Sequence, residues 1–235
     1  MTLTTLFDNV PFAPDLRTLW GFSCLVETPE RTILFDTGSS GVVLMRHMEA
    51  LGKSPEAVDM LFCSHAHWDH MGGWDAAVAG NPALELVAPS TFSPRLVRDL
   101  RTMVKGVTVV TDEGIRLAEG VYSTGMMEGD PAEQALIVES GEGIVVVTGC
   151  AHPGIVAIAE RAVAMTGRPI ELLMGGFHLR NAPDEAIDRV VTALDALGVR
   201  RVCPTHCSGE RAFERFARVF GDRCVKGGLG SVVTV

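Results

Sequence analysis

The chain has 235 residues, with 20 Lys and Arg against 29 Asp and Glu, a formal charge of −9. A 47% hydrophobic and 21% charged content excludes a disordered chain, and the length suits a single domain over residues 1–235 with a sizeable core. The acidic balance, with no run of Lys and Arg, argues against nucleic acid or an anionic membrane as partner, because both are met by basic patches.

Taken in chain order, Gly21–Glu27 and Thr32–Phe35 read as strands either side of a turn at Pro29–Glu30. Val42–Leu51 carries a helical apolar pattern closed by Gly52, and Val58–Cys63 is a further strand. Leu84–Ala88, Val107–Val110, Leu136–Glu139 and Ile144–Thr148 are short apolar runs bounded by Gly, Pro or Asp, which predicts β-structure. The last third alternates. A helix entered at Pro153 with a stripe of Ile155, Ile158, Ala159, Ala162 and Val163 ends at Gly167, and strand Ile170–Met174 follows. A second helix starts at Pro183, carries Asp184 and Glu185 in its first turn, stops at Gly198, and leads into strand Arg200–Cys203. Strands covered by helices give an α/β fold class.

The N-terminus lacks a basic start followed by an apolar core, and runs such as Ile144–Val147 are far short of the ~20 residues that cross a bilayer. Six scattered cysteines in a chain this long suit reduced thiols, so a cytoplasmic location is expected.

The histidines carry the chemistry. Of seven, His65, His67, His70, His152, His178 and His206 fall just after predicted strands, the edge where α/β sheets collect ligands. His47 alone sits inside a predicted helix, as a structural or solvated group. The densest segment is His65-Ala66-His67-Trp68-Asp69-His70, with Gly72 and Gly73 after it. Four donors in six residues are costly to bury unpaired, and coordination to a divalent cation offsets that cost. His65 and His67, two apart in extended backbone, can point the same way, while Asp69 and His70 lie where the chain turns into a helix. Two ions use six histidines more economically than one, and paired ions are a standard hydrolytic device.

Thr32-Ile-Leu-Phe-Asp-Thr-Gly38, Ser64-His-Ala-His-Trp-Asp-His-Met-Gly-Gly73, Val147-Thr-Gly-Cys-Ala-His152 and the late His206 together resemble the metallo-β-lactamase superfamily. The resemblance implies an αββα sandwich, two facing mixed sheets flanked by helices, with a metal site at one edge. A narrower likeness, in Thr148–Ile155, Gly175–Leu179 and Pro204–Gly209, is to the branch named for 7,8-dihydropterin-6-methyl-4-(β-D-ribofuranosyl)aminobenzene-5′-phosphate synthase. There are two departures. No histidine lies between His70 and His152, and Cys150 stands where the superfamily often has an aspartate that bridges the metals.

On this resemblance His65, His67 and His152 hold one ion, and Asp69, His70 and His206 hold a second, with zinc ahead of iron or manganese. A bridging water or hydroxide, acidified by the cations, is the expected nucleophile against a small-molecule substrate. Asp69 is also a candidate catalytic group that orients the nucleophile's proton. His178 either donates a proton or hydrogen bond to the substrate or leaving group, or is structural. Cys150 either bridges as a thiolate or is a small buried residue. Asp36 is expected to hydrogen-bond a ligand histidine or to be a turn residue. Glu133 is a spare carboxylate, Trp68 and Trp74 pack or wall the pocket, and Ser123–Pro131 is a loop. A metal-dependent hydrolase leads. The alternatives are a pterin-type transferase joining a dihydropterin pyrophosphate to an arylamine, a redox di-iron enzyme, a non-catalytic metal-bearing ligand sensor, and a nucleic-acid-processing enzyme.

Overall fold

The computed structural model describes residues 1–141 and 143–235. They form two compact units: Met1–Thr111 with Gly228–Thr234, and Asp112–Gly227 with Val235.

In the first unit, strands β1 (Thr2–Phe7), β2 (Ser23–Glu27), β3 (Thr32–Phe35), β4 (Met60–Phe62), β5 (Glu85–Pro89) and β6 (Gly106–Val110) are joined by the late β13 (Val232–Thr234) in the order β13-β1-β2-β3-β4-β5-β6. Pairing is antiparallel from β13 to β3 and parallel from β3 to β6. Helices α1 (Gly41–Ala50), α2 (Trp68–Met71), α3 (Trp74–Gly80) and α4 (Pro94–Leu100) fill the connections. Parallel strands buried on both faces need continuous apolar runs, and Met60–Phe62 and Leu86–Ala88 supply them. α1 turns Leu44 and Met48 into a core with Leu34, Leu61 and Leu86, and its His47 Nδ1 lies 2.8 Å from the Leu6 carbonyl oxygen. His47 is therefore a structural histidine.

In the second unit, β7 (Ile115–Ala118), β8 (Val121–Ser123), β9 (Leu136–Ser140), β10 (Gly143–Thr148), β11 (Ile170–Gly176) and β12 (Arg201–Thr205) lie in the order β12-β11-β10-β9-β8-β7. β10, β11 and β12 are parallel, and the rest antiparallel. Helices α5 (Ile155–Thr166), α6 (Asp184–Ala196) and α7 (Glu210–Phe220) bury Ile158 and Ala162, Ile187 and Leu194, and Phe216 and Phe220 in one core. α5 ends at Gly167, which adopts φ +66 and donates its N–H to the Val163 carbonyl at 2.8 Å. Each sheet is mixed and carries helices, as expected.

The strand expected over Val58–Cys63 is shorter, because Pro55–Ala57 form a 3-10 turn closed by Val58 N–H on the Pro55 carbonyl. Asp59 then uses its carboxylate to accept the Thr32 N–H at 2.8 Å. No helix among the described residues is long and apolar enough to cross a membrane.

Candidate metal centre

In the first unit the donors follow the carboxyl ends of β3 and β4. Asp36, at φ +52 and fully buried, ends β3. Its Oδ1 accepts the Ser64 N–H at 2.8 Å, and its Oδ2 accepts the Ser64 hydroxyl at 2.6 Å. The same Oδ2 lies 2.7 Å from His70 Nδ1. Burial pushes the Asp36 carboxyl above its ordinary range, against the pull of His70 and the Ser64 donors. A carboxylate facing Nδ1 keeps the proton there and leaves Nε2 unprotonated, the form a metal ligand needs. That Nε2 lies 3.7 Å from Asp69 Oδ2.

Ser64 Oγ also lies 2.8 Å from His65 Nδ1, and His65 Nε2 lies 3.1 Å from His67 Nδ1. Two ligands of one tetrahedral ion with bonds of ~2.0–2.1 Å stand roughly 3.3 Å apart, so this spacing fits a shared cation. His65, Asp69 and His70 are buried, whereas Trp68 is 65% exposed. Trp74 packs edge-on to Phe92.

The short helix α2 is clamped from beneath. Thr37 donates both its N–H, at 2.8 Å, and its hydroxyl, at 3.0 Å, to the His70 carbonyl. Gly72 and Gly73 pass so close to this loop that a Cβ would sit 2.5 Å from Ser39 and 2.6 Å from the Thr37 oxygen. The glycines are needed for backbone approach, as their place after the histidines implied.

In the second unit the donors follow β10, β11 and β12. Glu133, fully buried, is the group sequence reasoning undervalued. Its Oε1 accepts the N–H groups of Gly149, Cys150 and Ala151 at 3.0, 2.9 and 3.0 Å. Its Oε2 accepts His152 N–H at 3.0 Å and faces His152 Nδ1 at 2.7 Å. The loop after β10 is thus a nest of backbone donors wrapped on one carboxylate, with Ala151 at φ +58. The carboxylate sets the His152 tautomer as Asp36 sets that of His70. Segment Ser123–Pro131 presents Glu133: Met126 is buried, and Met127 and Glu133 exchange backbone hydrogen bonds at 2.9 and 3.1 Å.

His178 is exposed beyond β11, its ring 4.7 Å from that of His152. A hydrogen bond with Cys207 raises its pKa, opposed by burial. His206, buried, follows β12. Among the described residues the non-glycine positions with positive φ are Asp36, Ala151, His178 and His206. Each such residue costs of order 1–3 kcal/mol, and such strain gathers at functional sites. All four lie in the loops that bear the donors.

The metallo-beta-lactamase superfamily model matches residues 21–206. A Methanocaldococcus jannaschii protein named 7,8-dihydropterin-6-methyl-4-(beta-D-ribofuranosyl)-aminobenzene-5′-phosphate synthase is 26% identical, over 85% of this chain and 84% of its own. A solved metal-dependent hydrolase of the beta-lactamase superfamily superposes with a TM-score of 0.83 at 26% identity, covering 100% of this chain and 99% of that one. The short form of human tRNase Z shares the fold, with a TM-score of 0.66 at 14% identity, over 100% of this chain and 99% of its own. This chain belongs to the metallo-beta-lactamase superfamily and has its fold.

Proposed function

We propose that this protein is a metal-dependent hydrolase of a small molecule. His65, His67 and His152 hold one divalent ion, and Asp69, His70 and His206 hold the other. The observation that carries the reading is the pair of buried carboxylates on ligand histidines, Asp36 on His70 and Glu133 on His152, each at 2.7 Å. A carboxylate on the far nitrogen fixes ring orientation and makes the near nitrogen a better ligand. A solely structural histidine needs no such tautomer control in two separate motifs.

When bound, the ions supply an acidified water and polarise a substrate oxygen. The side chains do the rest. Asp36 and Glu133 hold the tautomers of His70 and His152. Asp69 is an acceptor that orients a water proton. His178, exposed at its loop tip with Cys207 raising its proton affinity, donates a proton to the leaving group. Zinc, iron and manganese all suit nitrogen and carboxylate donors, with zinc preferred.

The solved relative described as a metal-dependent hydrolase supports this reading. A second reading, transfer of a dihydropterin from its pyrophosphate to an arylamine, is favoured by the name of the Methanocaldococcus jannaschii relative. Zinc-loaded protein assayed with esters, lactones, thioesters and phosphodiesters, and separately with dihydropterin pyrophosphate plus an arylamine ribofuranoside phosphate, separates the two. Metal-dependent hydrolysis without coupled product is expected. Coupled product with no hydrolysis of any ester would replace the hydrolase with the transferase.

A further inference from the structure

We propose that Cys207 is a metal ligand, giving the second unit a sulfur-bearing donor set of Cys150, His206 and Cys207 and making the centre selective for soft or borderline cations. This rests on the metal centre proposed above and goes beyond it, because the imidazole and carboxylate set includes no sulfur.

The side-chain donor atoms of Cys150, His206 and Cys207 all lie within 4.8 Å of one another, and all three residues are buried. A tetrahedral ion with bonds of ~2.3 Å to sulfur and ~2.0–2.1 Å to nitrogen holds such atoms roughly 3.5–3.8 Å apart, so a closure of about 1 Å completes the set. The backbone is cut away around the sulfur: a Cβ on Gly176 would sit 2.6 Å from Cys207 Sγ and 3.2 Å from the Cys150 Cα. The Cys207 thiol makes a long contact of 3.6 Å with the Cys150 carbonyl, and its side chain hydrogen-bonds His178. Histidine N–H donation to a ligand thiolate is the same outer-shell support that Asp36 and Glu133 give their histidines.

Among the described residues, no cysteine besides Cys150 and Cys207 stands in a group of three donor side chains. Cys63 gives its thiol to the His65 carbonyl at 3.4 Å, and Cys203 is fully buried within β12. On binding, each S–H proton is released to solvent as the sulfur–metal bond forms. Thiolate favours zinc, cobalt and cadmium over manganese and magnesium.

The test loads the full chain with cobalt(II) and follows its absorption. Visible d–d bands report a bound ion, and an intense near-ultraviolet band reports sulfur-to-cobalt charge transfer. Wild type is expected to show both, with the charge-transfer band about halved in Cys207→Ser and absent in the double Cys150→Ser/Cys207→Ser variant, which keeps its d–d bands. Visible bands without charge transfer, or a charge-transfer band unchanged in Cys207→Ser, would overturn the ligand role of Cys207 while leaving the metal centre standing. No visible bands at all would overturn both. X-ray absorption on the wild-type zinc protein needs no variant: a sulfur shell near ~2.3 Å is expected, and a purely nitrogen and oxygen shell at ~2.0–2.1 Å refutes the proposal.

Discussion

Glu133→Gln is the most informative single change, because it keeps side-chain size and alters only what one end of it can accept. The carboxylate receives five N–H groups, three on Oε1 and two on Oε2. Glutamine offers one acceptor oxygen. With that oxygen at the Oε1 position, the new amide hydrogens face His152 N–H and Nδ1, and two charge-assisted bonds of ~1.5–3 kcal/mol each are lost. If His152 moves its proton to Nε2 to relieve the clash, it recovers one contact and gives up its ligand lone pair. Allowing for that relaxation, metal-free protein is expected to lose about 3 kcal/mol. In a chain of this size that is a fall in Tm of about 6–12 °C. Metal affinity is expected to fall about 10–100-fold. Calorimetry and urea unfolding of the metal-free variant, with competitive zinc titration against a chelator, measure both. Stability within about 0.5 kcal/mol of wild type together with unchanged affinity would refute the reasoning.

Asp36→Asn retains an acceptor for the Ser64 N–H but turns an amide towards His70 Nδ1, which favours the Nε2–H tautomer. Metal affinity is expected to drop about 10-fold or more, with the tautomer change visible in histidine ¹⁵N spectra. Gly175→Ala sets a Cβ 2.0 Å from the Thr148 carbonyl at φ +124 and is expected to abolish soluble expression. Gly167→Ala, with φ +66 and nothing within 4 Å, costs about 1–2 kcal/mol in urea unfolding. Burial holds the His47 pKa below its ordinary value of 6.5, so its contribution to stability is complete above about pH 6.5 and is lost as pH falls towards the folded value. Metal-free wild type is expected to lose up to about 1.4 kcal/mol per pH unit in that window relative to His47→Asn, measured by unfolding at pH 5–7.5. Equal slopes in the two proteins would contradict that role.

Residues whose role is local were legible in the sequence. The six candidate site histidines were identified because they follow strands that read from apolar runs, and the glycines after His70 because close approach demands them. Helix ends at Gly52, Gly167 and Gly198 follow from their positive φ. Glu133 was not legible because its five donors come from a loop 16–19 residues further on, brought to it by the β8–β9–β10 pairing. Its only trace in the sequence is a carboxylate with no cationic neighbour before a buried strand. Strands β7, β8 and β13 went unread because they are only three or four residues long, and β1 because Thr2, Thr4 and Thr5 interrupt its apolar run. Helix α7 was readable in principle: Ala212, Phe216 and Phe220 form its buried stripe at helical spacing, but the Glu and Arg between them mask it.

The central claim is that imidazoles from the separate motifs bind two cations. Anomalous diffraction at the zinc edge, from crystals of the full chain whose metal content has been fixed by elemental analysis, tests it most directly. Two zinc peaks per chain are predicted, one against His65, His67 and His152 and the other against Asp69, His70 and His206. Zinc peaks away from these side chains, or none in a protein that retains its fold, would contradict the account.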